Sequence, residues 1–324
     1  MHGRRLVVNE RAPARITITS HVVPPTPPSL SVVLIVLNGA QWIAAQLDAL
    51  ALQREAPEAW EVVVSDNGST DGTQTLVMSY GDSFPVPLRL VDASSAPGVS
   101  HARNVGASAA EGHVLLFCDC DDIVSDTWVR DGYSALQTHV CVVGTSRVLE
   151  HPHNTSSEVL NPDGLVGRGI HGCNFGVRRD VYFAVGGFDE SLPPYGCDDS
   201  EFSIRLRQAG HAIEPADGMV LYFRRTTGVR RTLRKVYLSA IAETVVWQRH
   251  PTIYGSRLTR RAILGDLMVW PIHAVRRVAA ERRINRDLAR SAVTAWAHVV
   301  GYLTWTRTRR AGEARLVFRP LDLD

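Results

Sequence analysis

The stretch HVLLFCDCDD, residues 113–122, runs an aliphatic segment straight into three carboxylates, Asp119, Asp121 and Asp122. A short apolar run bounded by Gly112 and a polar cluster reads as a buried strand. Each negative charge at its end disfavours the others, so the crowding calls for a solvated turn or for a cation among the carboxylates. Both readings stay open on this stretch alone.

Working outward, SVVLIVL (31–37) is another apolar, β-branched run, followed by the helical spacing of Trp42, Ile43, Leu47, Leu50 and Leu52 and by a second strand, EVVVS, at 61–65. A helix is expected around 73–80, a strand around 88–91 and a helix from about 99 to 110, which leads back to HVLLF. Strands alternating with helices predict an α/β fold with a parallel sheet covered by helices. In such a sheet ligands bind outside the carboxyl ends of the strands. Three polar clusters fall at those ends: Asn38, SDNGSTDGT (65–73) and DCDD. As a plain turn DNGSTDG is unremarkable, with Ser69 or Thr70 able to cap the next helix. What a turn leaves unexplained is the coincidence of three polar clusters on one edge.

The segment 1–29 ends in PPTPP and reads as a flexible, Pro-rich leader. A catalytic domain is expected over 30–225 and a mainly helical, Arg-rich extension over 226–324. Cutting the chain at 223 leaves 14 Arg/Lys against 26 Asp/Glu before the cut and 21 against 7 after it, an acidic body with a basic tail. Five cysteines without CxxC spacing argue against a disulfide framework and a zinc site, and make a reducing cytoplasm the expected home. Arg4 and Arg5 are followed by no continuous apolar stretch, so no signal peptide is expected, and no run reaches the roughly 18 apolar residues of a membrane span.

Taken in order and spacing, SVVLIVLN, VVVSDNGSTDGT, PGVSHARNVGASAAEGHVLLFCDCDD, NFGVRRDVYFAVGGFDE and YGCDDSEFSIRLRQAG resemble the family-two glycosyltransferases with the GT-A fold. The likeness spans about residues 31–225. It implies a GT-A-like, mixed and mostly parallel sheet flanked by helices, and an inverting, metal-dependent transfer of a sugar from a UDP-, GDP- or dTDP-linked donor. The acceptor would be a glycan, a lipid-linked molecule or a small molecule. By this resemblance Asp121 holds Mn²⁺ or Mg²⁺, Asp119 faces the ribose or the metal, and Asp122 supports them. Hard oxygen ligands suit such cations. Asp66, beside Asn38 and Asn67, matches the carboxylate on the nucleobase, and Arg103 matches a base- or phosphate-side contact. A salt bridge to a nearby carboxylate is the other reading of Arg103. Asp198 and Asp199 match the family's acidic pair, with Asp199 as general base; N-capping of the following helix is the alternative for Asp198. Asn174 and Glu201 are further candidates for lining the site, and Gly186 and Gly187 read as a tight turn.

Two departures stand out. Ile35, Val36 and Leu37 precede Asn38 where the family usually has Pro and Thr, and no His follows the acceptor helix at LYFRRTTG, which leaves Arg224, Arg225 or His211 for the pyrophosphate. In the tail, RRTTGVRRTLRK is a dense basic patch suited to phosphates, anionic lipid or acidic glycan. Nucleic acid is not expected, because no aromatic residues interleave the patch as stacking platforms. Val293, Trp296, Val300 and Leu303 recur on one helical face, which fits either peripheral membrane contact or packing on the body. The rival function is a nucleotide-sugar-binding or scaffold protein without catalysis. A dinucleotide oxidoreductase would need GxGxxG after the first strand, and LNGA does not supply it.

Overall fold

The computed structural model describes residues 16–18, 27–151, 154–164, 167–193, 195–258, 263, 265, 268, 286–306 and 314–317. Two compact units emerge, one of Val8–Glu190, Asp199–Arg225 and Leu316–Asp324, the other of Met1–Val7, Ser191–Asp198 and Thr226–Arg315.

The first unit contains β1 (Ile16–Ile18), β2 (Leu30–Val36), α1 (Ile43–Ala51), β3 (Trp60–Asp66), α2 (Thr73–Tyr80), β4 (Leu88–Asp92), α3 (Val99–Ala109) and β5 (Val114–Asp119). After these come β6 (Ile123–Val124), α4 (Trp128–Leu136), β7 (Cys141–His151), β8 (Asn154–Val159), β9 (Asp163–Gly164), β10 (Gly167–Arg168) and β11 (Asn174–Arg178). It closes with α5 (Arg179–Ala184), α6 (Asp198–Gln208), whose first residue groups with the second unit, and β12 (Glu214–Arg224).

One sheet runs β1-β4-β3-β2-β5-β11-β7-β12-β6. It is parallel from β4 through β3 and β2 to β5, and becomes mixed where β11 enters antiparallel to β5. The seven residues of β2 are all buried because both faces are covered. Its side chains alternate: Val32, Leu34 and Val36 join Ile43, Leu47 and Leu50 of α1 in one core, while Val33 and Ile35 join Ala102 and Val105 of α3 in the other. Leu52, expected on the buried face of α1, lies beyond its end and is 71% exposed. Within the segment expected as a leader, Ile16–Ile18 forms an edge strand antiparallel to β4; Arg4, Arg5 and Pro24 lie outside the described residues. All five cysteines are free.

The second unit is built on α7 (Val229–Arg249), the single turn α8 (Pro251–Tyr254) and α9 (Arg286–Gly301). The contact between α7 and α9 uses small residues: a Cβ on Gly301 would lie 2.4 Å from Thr244 Oγ1, and His298 bonds Glu243 (2.9 Å) beside Trp247. Trp296 and Leu303 are more than half exposed, while Val293 and Val300 of the same stripe are partly covered. Among the described residues no helix is long and apolar enough to cross a membrane.

Gly144 on β7 sits where a Cβ would lie 2.3 Å from the Met219 carbonyl and 2.5 Å from Asn174 Oδ1. The backbone of β12 cannot withdraw, so Gly144→Ala is expected to destabilise the fold by about 1–3 kcal/mol. Urea unfolding measures this, and a wild-type midpoint would contradict it.

Candidate active site

The polar clusters converge at the carboxyl edge of β2, β3 and β5. The backbone N–H of Asn38 donates to Ser69 Oγ (2.8 Å), that of Gly39 to Thr73 Oγ1 (3.0 Å) and that of Ala40 to Asp71 Oδ2 (3.0 Å), while Asn38 Oδ1 accepts the Thr70 N–H (2.9 Å). The loop after β2 is thereby bolted to the loop after β3. Asn38 holds a φ of 52°, a left-handed conformation that asparagine tolerates better than most residues.

Asp66 is 1% exposed and accepts the Ser69 N–H and the Gln74 side-chain amide. With Gln74, Asp92 and Ser94 it borders a cavity of about 320 Å³. Asn67 is committed elsewhere: its amide donates to the carbonyls of Ala93 and Ala96 and accepts the Gly98 N–H, holding the connection from β4 to α3. Arg103, 3% exposed, lies 3.4 Å from Asp119 Oδ1 and stacks on Phe188. The carboxylate it pairs with is thus one of the clustered acids.

Asp119, Asp121 and Asp122 bring their oxygens within 4.8 Å of one another. Asp122 is 2% exposed; burial first, then the charges of Asp121 and Asp119, push its carboxyl well above the usual carboxylate range. Its Oδ1 accepts the Arg224 N–H (2.8 Å), and its Oδ2 is buried without a hydrogen bond. Three hard oxygen donors with one atom left unbonded suit a divalent cation. The loop is keyed from below as well, since a Cβ on Gly39 would meet Cys120 Sγ at 2.8 Å.

Arg224 wraps this loop. Its Nε donates to the Asp121 carbonyl (3.0 Å) and its guanidinium stacks 4.2 Å over Trp42, with no carboxylate in ion-pair distance among the described residues. Arg225 instead pairs with Glu158, and the backbone of His211 caps the end of α6 at the Leu206 carbonyl. Trp42 read in the sequence as a core residue; only its position one turn after Asn38 hinted at a place on this edge.

α6 starts at Asp198, which is buried, after Cys197 at a φ of 60°. Asp199 accepts the Ser200 N–H on Oδ1 (2.7 Å), and its carbonyl accepts the Ser203 hydroxyl (2.6 Å). Ser203 in turn accepts the N–H of Ile170, which fixes the loop before β11 to the start of α6. At the end of that loop the Cys173 thiol is pushed up by burial and by Asp122 and Asp119, is lowered by Arg103, and is raised by Asp199. The acidic cluster, Arg103 and Asp199 thus all lie near enough to Cys173 for their charges to act on its thiol. Asn174 is fully buried against Trp128 Nε1 and the Met219 carbonyl, and Glu201 is tied to Arg205. Gly186 and Gly187 hold φ of 89° and 68°, a turn no other residue would adopt at low cost.

Two family models match: "Glycosyl transferase family 2" over residues 31–183 and "N-terminal domain of galactosyltransferase" over residues 161–227. The glycosyltransferase AglE of Haloferax volcanii is 27% identical over 205 residues, covering 60% of this chain and 66% of its own length. Validoxylamine A glucosyltransferase of Streptomyces hygroscopicus is 29% identical over 233 residues, covering 59% and 49%. The chain thus spans about half to two thirds of the length of these curated relatives. A mannosyltransferase structure from Pyrobaculum calidifontis, in complex with GDP-Man and Mn²⁺, superposes with a TM-score of 0.56 at 19% identity over 89% of this chain and 90% of that one, a likeness of fold. The ordered motifs, the two matching family models and the shared architecture make residues 31–227 similar to the family-two glycosyltransferases of GT-A fold.

Proposed function

We propose that the chain is an inverting, metal-dependent glycosyltransferase acting in glycan, cell-envelope or glycolipid synthesis. It moves a sugar from a nucleotide-sugar donor to an acceptor hydroxyl. The observation that carries this reading is the trio of Asp119, Asp121 and Asp122, whose oxygens lie within 4.8 Å of one another, with Asp199 near enough to act on the same Cys173 thiol. A displacement at an anomeric carbon needs these two chemistries, one at the leaving group and one at the acceptor proton.

Asp121 and Asp119 would hold Mn²⁺ or Mg²⁺, with Asp122 beneath them. When bound, the cation neutralises charge on the departing diphosphate. Asp66 offers a fixed acceptor for a nucleobase N–H, with Gln74 locking its orientation. Arg103 steadies Asp119, and Arg224, anchored through Nε and Trp42, keeps its outer nitrogens for phosphate oxygens. Asp199 takes the acceptor proton, and Asp198 secures the start of the helix that carries it. Uridine, guanosine and thymidine donors all remain candidates. GDP-Man and Mn²⁺ in the neighbouring mannosyltransferase support a nucleotide sugar with a divalent cation.

Asp121→Asn is expected to abolish Mn²⁺-dependent nucleoside diphosphate binding, read by thermal shift, while leaving the metal-free melting temperature unchanged. Undiminished turnover in this variant, or full wild-type activity in excess chelator, would remove Asp121 from the role.

Asp199→Asn should retain nucleotide-sugar affinity and lose transfer by at least about a hundredfold, the lower range of positioned proton transfer. An α-linked donor should give a β-linked product, read by NMR. Retained configuration would refute direct displacement, and no transfer by the wild type across a broad donor and acceptor screen would favour the binding protein.

The second unit is proposed to meet an anionic membrane surface. Arg230, Arg231 and Arg234 are exposed in the first turns of α7, no acidic residue sits in its first turn, and Trp296 on α9 and Leu303 just past its end are open. The protein should sediment with phosphatidylglycerol vesicles and progressively less as salt rises. Absence from the pellet at every salt concentration would reject the membrane role.

A further inference from the structure

At the opposite edge of the sheet, the segment before β2, the start of β5 and the end of β11 border a cavity of about 510 Å³. Its floor is rigid: the Val114 N–H donates to the Ser29 carbonyl (3.3 Å), the Arg179 N–H to the His113 carbonyl (2.9 Å) and the Arg178 N–H to the Val140 carbonyl (2.9 Å). Val114 and Asp119 are the two ends of β5, so about 17 Å of strand separates this cavity from the carboxylates.

Arg179 is the unusual member of the lining. Among the described residues four arginines bury an Nε without a hydrogen bond: Arg89, Arg103, Arg179 and Arg207. Arg89 and Arg103 pair with carboxylates through their other nitrogens, and Arg207 donates to the Arg168 carbonyl. Among the described residues the Arg179 side chain makes no hydrogen bond and no ion pair; its guanidinium lies 4.7 Å over the Phe183 ring. The neighbouring charge is already matched, since Arg178 pairs with Asp180 at 2.8 Å. The Nε is closed to solvent, so the two terminal nitrogens of the guanidinium, which are not buried, are the donors left for a ligand. Tyr133 also lines the cavity, and its hydroxyl makes no hydrogen bond within the described residues.

We infer that this cavity is a second ligand site, remote from the transfer chemistry, that takes a small organic anion: a phosphate or carboxylate carried on a sugar-sized ring. The unmatched guanidinium supplies the charge and a planar set of N–H donors suited to either oxyanion. Tyr133 adds a hydroxyl, and Tyr133 and Phe183 offer ring faces against which the C–H face of a sugar stacks. The volume lies within the usual range for small-molecule pockets.

The test is calorimetry on the full chain with glucose 6-phosphate and glucuronate as the two anionic probes, and with glucose and inorganic phosphate as controls, each with and without saturating UDP and Mn²⁺. At least one anionic sugar should bind more tightly than either control and be indifferent to UDP and Mn²⁺; which of the two binds identifies the oxyanion. Arg179→Gln should weaken binding by at least about tenfold with an unchanged melting temperature, Tyr133→Phe should weaken it less, and Arg179→Lys should recover part of the loss. The inference is overturned if neither anionic sugar binds the wild type at millimolar concentration, if inorganic phosphate binds as tightly as glucose 6-phosphate, if UDP and Mn²⁺ displace the probe, or if Arg179→Gln binds like the wild type.

Discussion

Three carboxylates within 4.8 Å at the end of β5 impose the constraint around which this edge of the molecule is arranged. If all were charged, each pair would repel by about 3 kcal/mol at an effective dielectric near 20. One neighbouring arginine does not cancel that, and the fold spreads the relief. Asp122 is buried and its carboxyl is shifted upward, Arg103 leans on Asp119, and Arg224 lies across the loop. Gln46 of α1 holds the loop at both ends, donating to the Asp119 carbonyl and accepting the Val124 N–H. Burial pushes the thiols of Cys118 and Cys120 up, so they stay neutral and add no further charge. The geometry persists because backbone contacts hold the acids together against their own repulsion.

A second rigid element lies beside the first. Asn104 in α3 accepts the Tyr182 hydroxyl and the Phe188 N–H, and donates to the Phe188 carbonyl and to Glu190. One buried amide thereby ties the helix carrying Arg103 to the turn at Gly186 and Gly187. Phe117, Phe175, Phe188 and Phe202 stack around that turn, so the ring over which Arg103 rests belongs to the core. Position at the site is set by packing several residues away from it, as ordering of long polar side chains requires.

Strands β2 to β5 could be read from the sequence because their apolar runs are largely buried and bounded by turn residues. The clustered acids could be read for a related reason: charges that follow directly on a buried strand must lie at its end. Other features were hidden because they join distant positions through side chains. Nothing in the spacing of Trp42 and Arg224 announces a stack between a loop after β2 and the end of β12. Asn67 also braces the backbone through the carbonyls of Ala93 and Ala96, a part that its place in a polar loop did not announce. The stripe on α9 left two partners open, and the spacing alone did not show that glycine and alanine bring the helix to α7 while Trp296 faces outward. At Leu52 the apolar pattern simply outran the helix.

The short strand β1 has a bearing on how the chain behaves in company. β4 would otherwise be the outermost strand of a long parallel run, offering an open row of N–H and C=O groups to any passing strand, including the same edge of another copy. Ile16, Thr17 and Ile18 occupy that row opposite Val91, Leu90 and Arg89. Three residues from the segment read as a flexible leader therefore stand guard against self-association, and trimming the chain back to the first long strand would trade that guard for a sticky margin.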